Sequence, residues 1–270
     1  MNRFYVITNK GKDKSLEVTY RIKNYIESKG GTCILSEEES VPKDTDCVLA
    51  IGGDGTLIRA AREICPQNVP ILGINMGTLG YLAEAEVCDI ETVLDTLLLE
   101  REIHIEERMM LKGTLNGRQE DLALNDIVLS RLGPLRVVRF NIYVNGELLN
   151  TYQADGAIIS TPTGSTAYNL SAGGPILEPT ASMIVFTPIC SHALNTSSIV
   201  LSADDEIVIE IGKGRDGSDE AVGISYDGER HIEVKTADRI VIRKAKETTK
   251  LLKLSKVSLL ELLRKKMKGN

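Results

Sequence analysis

Apolar and polar positions follow two different rhythms along this 270-residue chain. In the first hundred residues, short apolar runs are separated by stretches with helical spacing. Phe4–Ile7 is a β-rich run, and Ser15 to Glu27 repeats apolar residues at Leu16, Tyr20, Ile22 and Ile26 before stopping at Gly30-Gly31. Thr32–Leu35 reads as the next strand. Cys47–Ile51 is continuously apolar, the pattern of a strand buried on both faces, and it runs into Gly52-Gly53-Asp54-Gly55. Leu57 to Ile64 is helical in spacing, Pro70–Ile74 is a second buried strand, and Ile90 to Leu99 is an amphipathic helix. Strands alternating with helices predict an α/β domain with a doubly wound, mostly parallel sheet.

Beyond Glu106 the helical spacing all but disappears. Met109–Leu115, Ile127–Ser130, Val137–Val144, Ile158–Thr161, Ile199–Leu201, Ile207–Ile211, Ile232–Val234 and Ile240–Ile242 are strand-like. Asn145-Gly146 between Ile142-Tyr143-Val144 and Leu148-Leu149 is a two-residue hairpin signal. The chain therefore divides into an α/β domain over 1–105, completed by a C-terminal segment over 251–270, and a β-rich, sandwich-like domain over 106–250. In that last segment, Ser258 with Glu261 three residues on fits a capping box, and Leu259, Leu260, Leu262 and Leu263 supply an apolar face expected to pack on the first domain. No internal repeat or low-complexity segment is visible.

Composition narrows the function classes. Aromatic residues are only 4 % with no Trp, so the core rests on Ile, Leu, Val and Ala, and a nucleic-acid reader built on stacked aromatics is excluded. The net charge of -6 does not steer the chain toward DNA or acidic membranes. The basic residues from Arg243 through Lys268 read as a solvated helix face and tail. Cysteines stand at 33, 47, 65, 88 and 190, an odd number without a CxxC pair, which fits reduced thiols in a cytoplasm. His104, His192 and His231 form no close His/Cys grouping, so no protein metal site is expected. The N-terminal apolar run is too short for a secretory signal, and no stretch approaches the ~20 apolar residues of a membrane span, so a soluble intracellular protein is expected.

Four segments carry candidate chemistry. In Gly52-Gly53-Asp54-Gly55-Thr56, glycines at the end of a buried strand let the backbone approach an anion, and Asp54 is placed to take a proton from a hydroxyl. The alternative reading of the tetrad is a tight strand-to-helix turn with Asp54 capping the helix. It is neither a Walker A loop nor GxGxxG. Gly73–Leu82 follows a second buried strand, with Asn75 as a two-way amide and Tyr81 either against a ligand ring or simply packed. Asn125-Asp126 before Ile127 is a ribose-gripping pair or a turn. In Asp155–Pro175 a strand enters a Thr/Pro/Gly/Ser turn and a short helix, where hydroxyls and amides favour a polar or anionic ligand and Tyr168 and Asn169 are placed to frame a base.

Together these segments resemble the NAD kinase family: GGDGT at 52–56, GINMGTLGYL at 73–82, an Asn-acid pair at 125–126, DGAIISTPTGSTAYNLSAGGP at 155–175 and, more weakly, TPIC before His192. GGDGT alone is shared with diacylglycerol and sphingoid-base kinases, while the long fourth segment is specific. The lipid-kinase alternative would need an apolar acceptor pocket, and a non-catalytic dinucleotide-binding regulator would not need Asp54. The resemblance implies phosphorylation of the adenosine-ribose 2′-hydroxyl of NAD by ATP, with a divalent metal, usually Mg2+, and self-association as a dimer or tetramer. It implies Asp54 as the proton acceptor and Gly52, Gly53 and Thr56 as the phosphate loop. The implied dinucleotide contacts are Gly55, Arg59, Asn75, Tyr81, Asn125, Asp126, Gln153, Asp155, Thr163, Thr166, Ala167, Tyr168, Asn169, Leu170 and Ser171. The chain departs from the family pattern at Gln153, where a basic residue is usual, at Ser191 in place of Pro, and at Ser197-Ser198 in place of Arg-Pro.

Overall fold

The computed structural model describes residues 1–77, 80–99, 103–133, 137–191, 197–214, 216–254 and 258–267. The chain forms two compact units, Met1–Glu107 with Thr248–Asn270, and Arg108–Glu247.

In the first unit, strands β1 (Arg3–Thr8), β2 (Thr32–Leu35), β3 (Cys47–Gly52) and β4 (Ile71–Asn75) lie parallel in the order β2-β1-β3-β4, with the two-residue β5 (Ala85–Glu86) added to β4. Every residue of β3 and β4 is buried, which is why their sequences do not alternate. Phe4, Val6, Leu49, Ile51, Leu72 and Ile74 pack with Ile22 and Ile26 of α1 (Glu17–Ser28) and with Ile90, Leu94 and Leu97 of α3 (Ile90–Leu98). Neighbouring strand residues point the other way, where α2 (Asp54–Ile64) covers β1, β3 and β4. The expected doubly wound α/β arrangement is what the structure contains. α1 starts after Leu16, whose φ of 54° is left-handed, and the buried Asp13 carboxylate accepts Thr19 N–H at 2.9 Å and Thr19 Oγ1–H at 2.7 Å, meeting a first-turn donor from outside the helix.

The second unit is a β-sandwich. One layer contains β8 (Asp126–Arg131), β11 (Gly156–Ser160), β12 (Met183–Ile189), β13 (Ile199–Ser202), β15 (Ala221–Tyr226) and β16 (Arg230–Lys235), antiparallel in the order β13-β12-β11-β8-β15-β16. The other contains β6 (His104–Leu115), β7 (Gln119–Ala123), β9 (Val138–Val144), β10 (Glu147–Ala154), β14 (Ile207–Ile211) and the start of β17 (Arg239–Lys253). Phe140, Ile142, Ile207 and Ile209 from this layer share one core with Ile127, Leu129, Ile159, Phe186 and Ile224 from the first. The sandwich-like β-rich half expected from the sequence is therefore present.

Several boundaries differ from the sequence reading. α2 begins at Asp54, not Leu57, because Gly53 is extended and its carbonyl already accepts Thr56 and Leu57 N–H. β17 continues eleven residues past Ile242, through a segment that reads as polar; Ala245, Thr249, Leu251 and Leu252 are its buried positions, and Leu251 pairs with Ile71 of β4. The basic run from Arg243 is thus partly a strand rather than a helix face. β12 contains Pro188, which a strand tolerates here because, among the described residues, β13 pairs only with Met183–Phe186 and the proline has no strand partner on that side. In α5 (Leu259–Met267), Ser258 Oγ accepts Glu261 N–H at 3.2 Å, but Leu260 is 71 % exposed and does not belong to the apolar face.

The β9–β10 hairpin turns through Asn145 at φ 50° and Gly146 at φ 85°, the left-handed pair of a type I′ turn. Gly146→Val places a β-branched residue in that region and is expected to cost about 1–2 kcal/mol of stability, measured by urea denaturation; an unchanged midpoint would contradict the turn assignment.

Candidate active site

The parallel strands β3 and β4 end side by side, with Gly52 paired to Asn75. Ligands of doubly wound sheets sit beyond such carboxyl ends. Asp54 is the first residue of α2, half-buried, and its side chain caps nothing in its own helix. Oδ2 instead accepts Tyr81 N–H at 2.6 Å and Oδ1 accepts Leu82 N–H at 3.1 Å. A carboxylate has about four lone-pair sites, so each oxygen keeps capacity for a further proton or donor. Gly80 makes this approach possible, since a β-carbon there would overlap the Asp54 carboxyl group. The Tyr81 ring carries the Lys266 ammonium 4.1 Å from its centroid, so one ring face is taken from within the unit. Asn75 is 4 % exposed; its Nδ2 donates to Gly77 O at 2.8 Å, while its buried Oδ1 has no partner among the described residues. Gly55 and Arg59 are exposed on α2. Thr56 is different: it is buried, Asn9 Nδ2 donates to its hydroxyl at 3.4 Å, and it packs beneath Gly52, so its hydroxyl serves the turn rather than the space beyond it. Thr78 and Leu79 lie outside the described residues.

In the second unit, one face of the β8 layer forms the floor of a pocket of about 350 Å³. Asp126, Val128 and Ser130 alternate along β8 toward it, Ser225 and His231 join from β15 and β16, and Ala167-Tyr168 borders it. Asn125 opens onto it with a buried Oδ1 that has no partner among the described residues. Tyr168 is 46 % exposed and presents a free ring edge of the α4 turn (Tyr168–Ser171), with Thr166 half-buried and Leu170 and Ser171 exposed beside it.

The Thr/Pro/Gly/Ser segment behaves otherwise than its hydroxyl content suggests. Thr161 Oγ1 donates to Leu124 O at 2.6 Å and accepts Gly164 N–H at 3.0 Å; Ser165 Oγ donates to Pro162 O at 2.6 Å and accepts Leu177 N–H at 3.0 Å. These hydroxyls satisfy a buried loop's backbone. Thr163 is buried, with Arg108 Nη1 donating to it at 3.5 Å. Asn169 is turned inward. It is 0 % exposed, its Nδ2 donates to Ser165 O and Pro175 O, and its Oδ1 accepts Thr187 Oγ1–H at 2.7 Å. Three of the four hydrogen-bonding positions of its amide are thus used inside the protein. α4 has four residues, too short for the helix-end anion site expected there. Asp155 stands at the far end of β11 from Ser160 and pairs with Arg131 Nε at 3.1 Å, while Gln153 lies on β10 in the other layer, opposite Arg139. His192 lies outside the described residues.

Sequence reasoning missed Asp227. It follows β15 with φ 53°, and its carboxylate accepts Leu124 N–H at 2.9 Å, Asn125 N–H at 2.7 Å and Asp126 N–H at 3.2 Å. Its only signal was Asp227-Gly228 between two β runs, which reads as a hairpin turn. Burial first, and then the neighbouring Asp227 carboxylate, push the Asp126 carboxyl up to about 7. An unfolded Asp titrates near ~3.9, so between about pH 4 and about pH 7 the native chain retains a proton that the unfolded chain has released, and stability falls as pH rises through that window. Asp126→Asn removes this dependence. Relative to wild type it is expected to gain on the order of 2 kcal/mol between pH 5 and pH 8, read from urea unfolding at the two pH values; an equal difference at both would exclude a raised Asp126.

Comparison with known proteins agrees with this arrangement. Residues 8–103 match the ATP-NAD kinase N-terminal domain and residues 124–254 the ATP-NAD kinase C-terminal domain. The chain is 47 % identical to an NAD kinase of Agathobacter rectalis, covering 100 % of this chain and 99 % of the relative, and 44 % identical to one of Lachnospira eligens, covering 99 % and 100 %. Among solved structures, yeast NADH kinase complexed with NADH superposes with a TM-score of 0.88 at 24 % identity over 100 % of this chain and 88 % of the other, a likeness of fold. An NAD kinase from Archaeoglobus fulgidus in complex with ATP superposes with a TM-score of 0.76 at 25 % identity, covering 94 % of each. With both halves matched and relatives above 40 % identity over its whole length, the chain belongs to the NAD kinase family.

Proposed function

We propose that this chain transfers the γ-phosphoryl group of ATP to the 2′-hydroxyl of the adenosine ribose of NAD, giving NADP and ADP, with Asp54 as the proton acceptor. One observation carries the assignment of roles: the Asp54 carboxylate is oriented by the Tyr81 and Leu82 amides at 2.6 and 3.1 Å, beyond the ends of two buried parallel strands, with lone pairs left over. Phosphoryl transfer asks little covalent chemistry of the protein. It needs an in-line hydroxyl, charge neutralisation at the phosphates and a place for the proton.

Family membership and the pocket chemistry support the assignment of the dinucleotide to Asn125, Asp126, Thr166, Ala167 and Tyr168. The Asn125 Oδ1, without a partner among the described residues, is an acceptor for a ribose hydroxyl, Asp126 with its carboxyl pushed up to about 7 by burial and Asp227 is a donor on the acid side of that value, and the exposed Tyr168 offers an aromatic surface. Leu170, Ser171, Gln153 and Asp155 extend this set, and Thr163 shapes it from beneath. In the first unit Gly55 leaves room beside Asp54 and Arg59 adds positive charge. Mg2+ fits as an ion brought with the donor. Among the described residues no three His, Cys, Asp or Glu side chains gather into a cage, and magnesium usually keeps waters while binding phosphates and one or two carboxylates. The Asp54 carboxylate and the unpartnered Asn75 Oδ1 are oxygens of the type such an ion or its waters engage. When bound, the ion neutralises charge developing on the phosphates.

A cytoplasmic location is supported by five free cysteines, with burial holding the Cys33 thiol up at about 12 and Cys47 higher still. Among the described residues no helix is long and apolar enough to cross a membrane. Self-association as a dimer or tetramer is supported by Met183 and Val200, exposed apolar residues on the β12–β13 edge.

In a coupled assay for NADP with ATP and magnesium, Asp54→Asn is expected to lower kcat by about 10²–10⁴-fold with circular dichroism unchanged. Near-normal turnover in that folded variant would remove Asp54 from the role of base. Gly80→Ala, which drives a methyl group into the Asp54 carboxyl, is expected to lower kcat on the order of 10²-fold while leaving the NAD KM much less affected; normal kcat would show that the Asp54 position is not critical.

A further inference from the structure

The loop between β1 and α1 runs Asn9-Lys10-Gly11-Lys12-Asp13 and is tied to the end of β3. Asn9 N–H donates to Ile51 O at 2.9 Å, Asn9 O accepts Lys12 N–H at 2.9 Å and Asp13 N–H at 3.0 Å, and Asn9 Oδ1 accepts Gly11 N–H at 2.9 Å. The buried Asp13 anchors the other side to the first turn of α1. The backbone of Lys12 is therefore held on both sides, and its side chain reaches over the glycine turn. Lys12 Nζ donates to Gly52 O at 3.4 Å. A β-carbon on Gly53 would lie 3.0 Å from that ammonium, and one on Gly77 would lie 3.6 Å away. Two glycine segments, one after β3 and one after β4, thus border the same cation.

Among the described residues this charge has no counter-ion. The neighbouring Lys10 pairs with Glu37 at 3.0 Å and Lys23 with Glu38 at 2.8 Å, whereas Lys12 has no ion pair among the described residues. A single carbonyl at 3.4 Å is a weak partner for a full charge. Beside it the eleven-residue helix α2 begins, with the positive end of its dipole and, since Thr56 and Leu57 N–H already bond to Gly53 O, the Asp54 and Gly55 amides of its first turn. The 4 % exposed Asn75, whose Oδ1 is unpartnered, is paired to Gly52 in register, so the same place holds a buried acceptor that a ligand or its bound water completes.

We infer that Lys12 binds the polyphosphate of the donor nucleotide over the Gly52-Gly53 turn. The inference rests on the kinase reading of this site and adds to it a residue from a loop outside every motif singled out in the sequence. The ammonium neutralises phosphate charge and, with the α2 amides, holds the chain of phosphates in place. The glycines at 53 and 77 leave the clearance that both the lysine and a phosphate require.

Lys12→Gln retains a donor for the Gly52 carbonyl while removing the charge, and Lys12→Arg retains the charge. With the full chain, Lys12→Gln is expected to raise the KM for ATP and weaken binding of inorganic tripolyphosphate in titration calorimetry by about 10–100-fold, the loss of one charge-assisted hydrogen bond. The KM for NAD and the melting temperature should stay near wild type, and Lys12→Arg should recover part of the loss. ATP and tripolyphosphate affinities unchanged in Lys12→Gln, or ATP and NAD affected alike, would overturn the inference. Absence of NADP formation by the wild-type protein would instead overturn the kinase reading, and tripolyphosphate binding by the two variants would still decide the role of Lys12.

Discussion

The backbone amides of Tyr81 and Leu82 and the carboxylate of Asp54 form the contact on which the first unit's chemistry depends. Two buried parallel strands end in register, and each must turn away from a sheet edge where nothing apolar continues. After β3 the chain turns through glycines straight into a helix; after β4 it loops back so that its amides meet the first residue of that helix. The helix start thereby gains a carboxylate held from a different part of the chain. Gly80 is required because a β-carbon there would overlap the Asp54 carboxyl group. Tyr81, open in the sequence between a ligand-facing ring and a packed one, is a bracket, with its amide on Asp54 and its ring under Lys266.

The second unit solves a different problem. A long connection between β11 and β12 has to bury polar backbone, and the Ser and Thr residues of its first half supply the missing partners. Asn169 performs the same task at the other end of the loop, cradled against Gly174 and bonded to Thr187. What is left for a ligand is narrower and better defined: one sheet face, an amide oxygen on Asn125 without a partner among the described residues, an exposed tyrosine, and two carboxyl groups, of which Asp126 is pushed up to about 7 by burial and by the Asp227 carboxylate beside it. Rigid support from the loop and adjustable protonation at the floor suit a site that must hold hydroxyl-rich, partly charged groups in one pose.

Much of the fold was legible because it follows from local periodicity. Continuous apolar runs identified β3 and β4, helical spacing identified α1 and α3, and Asn145-Gly146 identified its hairpin, since each depends only on burial or on dihedral preferences of adjacent residues. The failures were equally physical. β12 contains Pro188, tolerable because of which strand lies beside it, and the polar second half of β17 is a strand that pairs with β4 through Leu251.

For the site, the sequence by itself determined which segments were glycine-rich, which carried a carboxylate, and that Asp54 followed a buried strand; these are properties of neighbouring residues. Only the tertiary structure decided what each side chain faces. It turned Thr56 and Asn169 inward, brought Asp227 beside Asp126 across a hundred residues, and laid Lys12 over Gly53 and Gly77. Hydrogen-bond saturation and charge pairing are set by contacts between segments distant in the chain, and spacing along one segment carries no record of them.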